Sequence, residues 1–387
     1  MASSARSFPK RGRIMNTRER FYGGRLKQMK RVLVWGLSNN RAGTEAVIEA
    51  YVRAADPQKY SFDFLCYDDP VNYGCLFSGS SYNRVFKLPI KIAHPFRHRK
   101  ALASFMDEHA NEYEAVWFNA NDISNIDILL AAEKKGIKHR ILHSHNGNIP
   151  KRFITRLFSK INSKKAKRVV TERWACSQAA GAFMFEGESF KIIPNMVDAR
   201  KFAFDPSARD AMRSQYGWSD DCIIGTVGRL SEQKNQSFLI ELLPRLVQRI
   251  PNIKLVIIGE GPLRDSLKTL AQVLGVEERV VLLPAQCNIS EFLSAFDCYV
   301  FPSLYEGLSL AALEAQFNGL PCVMSDGVST ETKIATTTQF INLMDVDEWV
   351  DAICRAQRTE NSLILEKAQA FDAANIREVA ERMFEFD

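Results

Sequence analysis

Apolar and polar positions follow two distinct patterns along this chain. Short continuous apolar runs, such as 31–36, 114–119, 222–227 and 253–258, are followed by longer stretches in which apolar residues recur every three or four positions. The short runs predict buried strands, and the longer pattern predicts helices that pack on them. Strands that alternate with helices favour parallel, doubly wound sheets, in which ligands bind at the carboxyl ends of the strands.

The pattern assigns elements to both halves of the chain. In the first half, the predicted strands are 31–36, 61–67, 84–88, 114–119, 139–143 and 190–193, with a short strand and helix start at 175–177, and the predicted helices are 44–53, 97–110 and 123–135. In the second half, the predicted strands are 222–227, 253–258, 279–283, 297–301 and 321–324, and the predicted helices are 235–250, 262–274, 289–296, 308–317, 347–359 and 362–385.

The length of the chain indicates two domains, because 387 residues exceed what one hydrophobic core usually supports. Residues 196–219 are less regular than their surroundings, and we expect the domain boundary there. The predicted division is a tail at 1–28, domains at 29–196 and 197–361, and a terminal helical segment at 362–387. The tail has no periodic apolar pattern, so we expect it to be disordered.

Charge is distributed unevenly. The formal net charge is +6, but residues 1–30 alone carry +8 and residues 151–173 carry another +8, which leaves −10 for all other residues. Aromatic residues are sparse among the basic residues of the tail, so we expect no nucleic-acid partner. Residues 151–173 combine the charge with a helical apolar stripe. Such a helix either lies on a membrane surface or packs on the core with a solvated basic face.

Cysteine usage and hydropathy bear on the compartment. The eight cysteines are scattered, without a C-x-x-C pair, and several lie in strand-like runs. Buried free thiols in a reducing cytoplasm fit this distribution better than a disulfide framework or a zinc site. No apolar run is long enough to span a bilayer, and the amino terminus lacks the apolar segment of a signal peptide. We therefore expect a cytoplasmic protein, with the helix at 151–173 as the candidate for peripheral membrane contact.

The segment 300–316 carries the first candidate site. A strand ending at Phe301 is broken by Pro302, and Glu306 and Gly307 lead into a helix that contains Glu314. The free N–H groups and the dipole at such a helix start favour a phosphate. Eight helical residues rise about 12 Å and return to one face, so the two carboxylates could meet opposite ends of a sugar nucleotide. The alternative is that both are ordinary solvated helix acids.

Two further loops follow predicted strands. In the loop after 222–227, Gly228 keeps the backbone accessible, and Arg229 and Lys234 are cations suited to a diphosphate. The alternative is a loop whose cations are simply solvated. Gly259 and Gly261 begin an incomplete dinucleotide fingerprint, because its third glycine position holds an arginine. We therefore reject a Rossmann dehydrogenase and expect these glycines to make a tight turn lining the cleft.

The remaining polar motifs are weaker. His143 and His145 stand at a strand end without further ligands nearby, so we expect a hydrogen-bonding histidine at the cleft rim rather than a metal site. A satisfied structural histidine is the alternative. Asp345 and Asp347 imitate a D-x-D motif, but they precede a predicted helix, so capping explains them better.

Together these stretches resemble the retaining glycosyltransferases of family 4, which have the GT-B fold. The matching segments are GxxGRLxxxKN at 225–235, IGEGP at 258–262, PSLYEGLSLAALEAQ at 302–316, HSHNG at 143–147, ACSxAA at 175–180 and PNMVD at 194–198. The E-x7-E motif with the GR…K loop is specific to this family, and the HSHN and EAQ forms are most similar to its capsule- and exopolysaccharide-building branch. Met196 departs from the pattern, since the family usually has glycine there.

The resemblance implies two Rossmann-like domains that face each other across a cleft. The domain at 29–196 would bind the acceptor, the domain at 197–361 would bind the nucleotide sugar, and the last helix would pack back on the first domain. A UDP-sugar is the favoured donor, and a glycan or lipid-linked glycan the expected acceptor in surface polysaccharide synthesis. The family needs no divalent metal or other cofactor. Peripheral attachment to the inner face of the membrane gains weight if the acceptor is lipid-linked.

The resemblance also implies roles for single residues. Arg229 and Lys234 would hold the diphosphate and stabilise the leaving nucleotide, Glu306 and His145 would contact the donor sugar, and Glu314 the ribose. The remaining expected donor-binding residues would contact the donor through their backbone or lie next to its diphosphate. They are Gly43, Thr44, Gly228, Gly259, Gly261, Gly307, Leu308 and Ser309.

Two alternatives remain open at this point. A nucleotide-sugar epimerase of GT-B architecture would act without an acceptor. A non-catalytic nucleotide-sugar-binding protein would bind the donor without turnover, although the intact Arg229, Lys234, Glu306 and Glu314 argue against such loss of function.

Overall fold

The strands form two separate parallel sheets. The computed structural model describes residues 29–38, 43–67, 83–145, 153–358, 364 and 366–386. The first sheet contains β1 (Lys30–Trp35), β2 (Tyr60–Cys66), β3 (Arg84–Lys87), β4 (Ala115–Ala120), β5 (His139–Ser144), β6 (Glu172–Ala175) and β7 (Lys191–Ile192). Its spatial order is β3-β2-β1-β4-β5-β6-β7, with every pair parallel.

Helices cover both faces of the first sheet. They are α1 (Gly43–Ala54), α2 (Pro95–His109), α3 (Asp127–Lys134), α4 (Phe153–Val169) and α5 (Gln178–Phe185). Core residues of α1 pack on one face of the sheet, and core residues of α2 to α5 pack on the other. This division follows from the strands, whose alternate side chains point to opposite faces and are buried on both.

The second sheet has the same construction. It contains β8 (Cys222–Val227), β9 (Ile253–Ile258), β10 (Val280–Leu283), β11 (Cys298–Phe301), β12 (Cys322–Ser325) and β13 (Thr338–Ile341), in the parallel order β10-β9-β8-β11-β12-β13. The remaining helices are α6 (Ala199–Phe202), α7 (Pro206–Tyr216), α8 (Gln236–Arg249), α9 (Arg264–Val273), α10 (Ile289–Ala295), α11 (Leu310–Phe317), α12 (Val346–Arg355) and α13 (Ile376–Phe384). The prediction of two doubly wound parallel-sheet units is confirmed.

Three predictions of local structure were wrong. The irregular segment 196–219 contains α7, which Asp205 caps through the N–H groups of Ser207 and Ala208 and which is followed by Gly217 in a left-handed conformation. Strand β13 was missed, since its four residues hold few apolar side chains. The helix predicted over 362–385 begins only at Ile376, after 3₁₀ turns at 366–371 and 373–375.

Helix α13 packs on the first sheet, although it follows the second sheet in sequence. The ring of Phe384 lies 5.1 Å from that of Phe62, 5.5 Å from that of Trp117 and 6.4 Å from that of Trp174. The chain therefore returns to the first unit at its end. The proposed boundaries at 196/197 and 361/362 stay predictions, and the tail at 1–28 lies outside the described residues.

Several smaller expectations can be compared directly with the structure. Asp345 caps α12 by accepting a hydrogen bond from the N–H of Glu348, as predicted for the D-x-D segment. Cys66, Cys176, Cys298 and Cys322 are buried free thiols, Cys222 and Cys354 are partly buried, Cys287 is exposed in a loop, and Cys75 lies outside the described residues. None of the described helices is long and apolar enough to cross a membrane.

Candidate active site

An ion pair joins the loops that follow β8 and β11. Lys234 Nζ lies 2.6 Å from Glu306 Oε2, and both side chains are 18% exposed. Strands β8 and β11 are neighbours, so the parallel arrangement brings their carboxyl-terminal loops to the same edge. The structure thus brings together two of the residues that the sequence selected from motifs 72 positions apart.

Backbone and amide hydrogen bonds hold the two loops in register. The N–H of Leu304 donates to the carbonyl of Gln233 at 2.8 Å, and Asn235 Nδ2 donates to the carbonyl of Pro302 at 3.2 Å. Gln233 Nε2 also donates to the carbonyl of Tyr305 at 3.1 Å. Sequence reasoning missed Gln233, although it lies beside Lys234 within the matched loop motif.

The aromatic end of β11 supports the lysine. Lys234 Nζ lies 4.6 Å from the ring centroid of Phe301, close enough for a cation–π interaction. A charged lysine that is mostly removed from water needs such partners. Lys234 is therefore fixed both by Glu306 and by the strand that leads to Glu306.

Close backbone packing between the two βα loops requires glycine at positions 259 and 261. A Cβ atom added to Gly259 would lie 2.0 Å from the carbonyl oxygen of Gly228, and one added to Gly261 would lie 2.2 Å from that of Leu230. A Cβ atom on Gly228 would meet the methylenes of Lys234 from 3.5 Å. The turn of this loop lies at 262–263, after the two glycines that were expected to form it, and close contact between the two loops accounts for both glycines.

Gly307 differs from these glycines because it borders open space. A Cβ atom added there would meet nothing within 4 Å. Leu308 and Ser309 are buried behind it, and α11 begins at Leu310, two residues later than predicted. Ser309 occupies the N-cap position, but its side chain caps no backbone N–H. The start of α11 is therefore open on the side of Gly307.

Glu314 lies on α11, and burial raises the pKa of its carboxyl to about 7. The positive charge of Lys201 on α6 opposes this shift. Burial also raises the pKa of Tyr299, and the charges of Glu314 and Glu306 add to that rise. Both carboxylates thus act on the buried phenol within β11.

Arg229 is exposed on the loop after β8. Its carbonyl accepts a hydrogen bond from Gln236 Nε2 at 2.9 Å. Within the described part of the chain, its guanidinium takes part in no ion pair or side-chain hydrogen bond. A guanidinium in this position is free to bind an anion in a forked geometry.

On the first sheet, His145 follows β5 directly and is held by Asn119 at the end of β4. His145 Nε2 lies 2.8 Å from Asn119 Oδ1, while Asn119 Nδ2 donates to the carbonyl of Trp35 at 3.0 Å. Because the carbonyl oxygen of Trp35 can only accept, it must face the NH2 group of Asn119, which turns the amide oxygen toward the imidazole. That amide oxygen is also an acceptor, so Nε2 of His145 carries the proton. Burial lowers the pKa of His145 to about 3, so the ring is neutral and its Nδ1 is an acceptor.

His143 has a different role from His145. It is fully buried, and its Nδ1 accepts a hydrogen bond from Trp117 Nε1 at 3.3 Å. Burial lowers the pKa of its imidazole well below the usual value. His143 is a structural histidine, whereas His145 is partly exposed. None of the hydrogen bonds or ion pairs in the described ranges joins His145 to Glu306.

Gly43 and Thr44 are the first residues of α1, which follows β1 in sequence. Gly43 is exposed, and a Cβ atom added to it would meet nothing within 4 Å. The next residue, Glu45, is buried and accepts a hydrogen bond from the hydroxyl of Ser38 at 2.5 Å. Residues 39–42, 146 and 147 of the proposed donor-facing loops lie outside the described residues.

Three contacts connect the two halves of the chain around the cleft. Glu331, in a 3₁₀ turn after β12, accepts hydrogen bonds from the N–H groups of Gln178 at 2.9 Å and Ala179 at 3.0 Å, at the start of α5. Asn195 Nδ2 donates to the carbonyl of Leu308 at 3.2 Å. Leu310 packs against the hydrophobic cores of both halves. The sequence reasoning did not select Glu331, which lies in no recognised motif.

Metal ligands are not clustered in the part of the chain that the structure describes. No group of three or more His, Cys, Asp or Glu side chains there could hold a metal ion.

Comparisons with known proteins identify the family of this chain. Residues 208–373 match the family described as Glycosyl transferases group 1. The chain is 32% identical over 341 residues to a putative glycosyltransferase, EpsF, of Bacillus subtilis, covering 84% of this chain and 88% of that protein. It is 36% identical over 170 residues to the UDP-Gal:alpha-D-GlcNAc-diphosphoundecaprenol alpha-1,3-galactosyltransferase of Escherichia coli, covering 42% of this chain and 44% of the relative.

The fold is also found among solved structures. The crystal structure of Anabaena Alr3699/HepE in complex with UDP superposes with a TM-score of 0.74 and covers 92% of this chain and all of that chain. The two sequences are 19% identical, so this likeness concerns the fold.

Proposed function

This chain belongs to the group 1 glycosyl transferases and has the GT-B fold, and from this premise we propose that it moves a sugar from a nucleotide sugar, preferably a UDP-sugar, to a glycan or lipid-linked glycan. The observation that carries the proposal is the Lys234–Glu306 pair between two loops at the carboxyl ends of β8 and β11. A cation next to a carboxylate, beside the open backbone at Gly307, suits a ligand that has both a diphosphate and sugar hydroxyls.

The diphosphate would be held by cations and backbone N–H groups. Arg229 offers a guanidinium that has no side-chain partner among the described residues, and Lys234 lies on the same loop. The start of α11 adds the N–H groups and the dipole of a helix end behind Gly307. These groups would stabilise the negative charge that develops on the leaving nucleotide, a contribution that often amounts to several kcal/mol. With two cations in this position, we propose that the reaction needs no divalent metal.

The carboxylates would bind hydroxyls at the two ends of the donor. Glu306 would accept hydrogen bonds from the sugar, and Glu314 from the ribose. His145 would contact the sugar from the first sheet when the cleft closes. Closure would also expel water from the site, which limits hydrolysis of the donor.

Transfer would proceed with retention at one face of the sugar. The bond between the anomeric carbon and the diphosphate oxygen breaks, and its electron pair leaves with the nucleoside diphosphate. The acceptor hydroxyl oxygen bonds to the same carbon from the same face, and its proton passes to the departing phosphate oxygen. The products are a glycoside and a nucleoside diphosphate, and every proton is accounted for.

The first half of the chain would bind the acceptor at a membrane surface. The amino-terminal turns of α4 expose an apolar row made of Phe153, Ile154, Leu157, Phe158 and Ile161. Arg156, Lys160 and Lys164 recur at four-residue spacing on the same helix, so that a basic row runs beside the apolar one. The helix is anchored from its middle onward, where Asn162 Nδ2 donates to the carbonyls of Ile123 at 2.9 Å and Ser124 at 3.0 Å and where Ala166 and Val169 are buried. This exposure supports the membrane interpretation of the basic helix over the core-packed one.

Binding of the donor tests the proposal. Melting temperatures would be measured with UDP, GDP, ADP, their common sugar conjugates and NAD, each with and without EDTA. A ligand that binds the native state raises the melting temperature by mass action. We expect a shift for UDP and UDP-sugars that EDTA leaves unchanged and that Lys234→Ala abolishes. No shift for any nucleotide, or one for NAD alone, would contradict the proposal.

Acceptor dependence separates the two catalytic alternatives. A glycosyltransferase consumes the donor in proportion to an added glycan or lipid-linked acceptor, and the product keeps the anomeric configuration of the donor. An epimerase alters the sugar without any acceptor. Conversion of the donor by the purified protein alone, with release of a different free sugar, would favour the epimerase.

A further inference from the structure

We propose that Glu331 is a positioning residue that connects closure of the cleft to the geometry of the donor site, an inference that rests on the proposed function. Its carboxylate spans the cleft and accepts hydrogen bonds from the N–H groups of Gln178 and Ala179 at 2.9 and 3.0 Å. Glu331 belongs to the second half of the chain, and α5 to the first.

The contact completes the start of α5. Ser177 caps the N–H of Ala180 with its own hydroxyl, so Glu331 and Ser177 together satisfy the first three N–H groups of this helix. A carboxylate in this position is favoured both by charge-assisted hydrogen bonds and by the helix dipole. Opening of the cleft would separate Glu331 from α5 and break these hydrogen bonds, so the contact would favour the arrangement in which the two halves are close.

The turn that carries Glu331 is bonded on both sides to the donor-site loop. Before it, the N–H of Ser329 donates to the carbonyl of Glu306 at 3.0 Å, and the N–H of Glu306 donates to the carbonyl of Gly327 at 2.9 Å. After it, the hydroxyl of Thr332 donates to the carbonyl of Gly307 at 3.3 Å. Glu331 thus lies between two attachments to the residues that would contact the donor sugar and diphosphate.

A buried glutamine makes this turn rigid. Gln316 on α11 is fully buried, and its Nε2 donates to the carbonyl of Thr332 at 2.8 Å. Its Oε1 accepts hydrogen bonds from the N–H groups of Ile334 and Ala335 and from the hydroxyl of Thr338. Because the turn cannot shift independently of α11, a displacement of Glu331 on opening would be transmitted to Glu306 and Gly307.

Kinetics and scattering together test the role of Glu331. Glu331→Gln keeps the shape of the side chain but removes its charge, and a tenfold effect corresponds to about 1.4 kcal/mol, within the usual range for a hydrogen bond to a charged group. We expect roughly a tenfold rise in the donor KM, a larger share of donor hydrolysis, and a smaller UDP-induced decrease in the radius of gyration by small-angle X-ray scattering. Glu278→Gln, an exposed acid before β10, is the matched control.

A double-mutant cycle tests the connection to the donor site. Thr332→Val removes the hydroxyl that contacts Gly307 while keeping the shape of the side chain. If the turn transmits closure, the Glu331→Gln and Thr332→Val effects on donor KM are coupled, and the double variant loses less than the product of the two single effects. Independent effects would overturn the transmission step.

The outcomes distinguish the two proposals. An unmodified protein that binds no nucleotide contradicts the proposed function. The second outcome is that the unmodified protein binds UDP and contracts. If Glu331→Gln then binds UDP, contracts to the same extent and has unchanged donor KM and donor hydrolysis, the result contradicts only the role of Glu331. A lower melting temperature with unchanged kinetics and scattering also contradicts it, because Glu331 would then be only structural.

Discussion

The ammonium group of Lys234 lies 2.6 Å from the carboxylate of Glu306, so each satisfies the charge of the other before any ligand is present. The pair bridges the loops after β8 and β11 and lies against the ring of Phe301. A donor that binds here exchanges part of this interaction for contacts with its diphosphate and hydroxyls. Both side chains are therefore already oriented when the donor binds, because the conformational entropy lost in ordering them is lost during folding.

Removal of either charge should abolish most of the activity. We expect Glu306→Gln and Lys234→Met to reduce the transfer rate by about 10²–10³-fold, the usual effect of losing one preorganised electrostatic group. Methionine retains the packing of the lysine stem against Phe301, so the fold should be maintained. Initial rates with a radiolabelled donor measure the effect, and circular dichroism monitors folding. Near-normal transfer by either folded variant would contradict the site assignment.

Two glycines of the site should respond to alanine in opposite ways. Gly259→Ala places a methyl group 2.0 Å from the carbonyl of Gly228, so we expect a lower melting temperature and poor expression. Gly307→Ala meets nothing within 4 Å, so the fold should be unaffected while the methyl group obstructs the approach of an anion to the backbone. Thermal unfolding and UDP titration of both variants separate the two effects. Tight UDP binding by Gly307→Ala would place the diphosphate elsewhere.

The proximity of the loops at the candidate site could be predicted because its residues lie in local strand–loop–helix units. Arg229, Lys234 and Glu306 each follow a strand that a short apolar run identifies, and parallel pairing then brings the loops together. Glu331 could not be found in this way, since it lies in no motif and its partner Gln178, the variable position of the ACSxAA motif, is 153 positions distant.

The errors in local structure have equally specific causes. Helix α7 has the sequence features of a helix, with Asp205 at the N-cap, Pro206 at its first turn and Gly217 after its end, but few apolar residues reveal its period. The capping residues at both ends therefore indicate a helix here, although the polar composition indicates a loop. At the end of the chain, helical periodicity continued through residues 366–375, where the structure has 3₁₀ turns instead.

Donor binding should weaken as the pH falls through about 7. Burial raises the pKa of Glu314 to about 7, so the carboxylate that would accept ribose hydrogen bonds is protonated below this pH and ionised above it. A nucleotide sugar lacks the phosphomonoester ionisation near pH 6, so the ligand contributes no step of its own. Calorimetric titration with a UDP-sugar between pH 5.5 and about 8.5 should show affinity rising through about 7. The step should disappear in Glu314→Gln; its persistence there would assign it to another group.

The tautomer of His145 should depend on Asn119. The amide oxygen of Asn119 accepts from Nε2, so two-dimensional ¹H–¹⁵N NMR should show a proton on Nε2 and none on Nδ1 at neutral pH. Asn119→Ala should give a mixture of His145 tautomers, and it should lower kcat more than it raises KM. Asn119→Asp should instead keep the Nε2–H tautomer and raise the pKa of His145. A protonated Nδ1 in the unmodified protein would contradict this assignment.

Attachment to anionic membranes should require the exposed face of α4. Ile154 is 67% exposed on this helix, and Val273 is 76% exposed on α9 in the second half of the chain, so the two offer a matched pair. Each large apolar side chain that enters a bilayer interface contributes about 1.5–3 kcal/mol to binding. We therefore expect Ile154→Asp to reduce sedimentation with phosphatidylglycerol vesicles at least tenfold. Val273→Asp should leave sedimentation unchanged. Lys160→Glu should weaken the same binding, most strongly at low salt, because basic residues attract anionic lipid. Equal loss in both aspartate variants, or equal binding to uncharged phosphatidylcholine vesicles, would exclude α4 as the site of attachment.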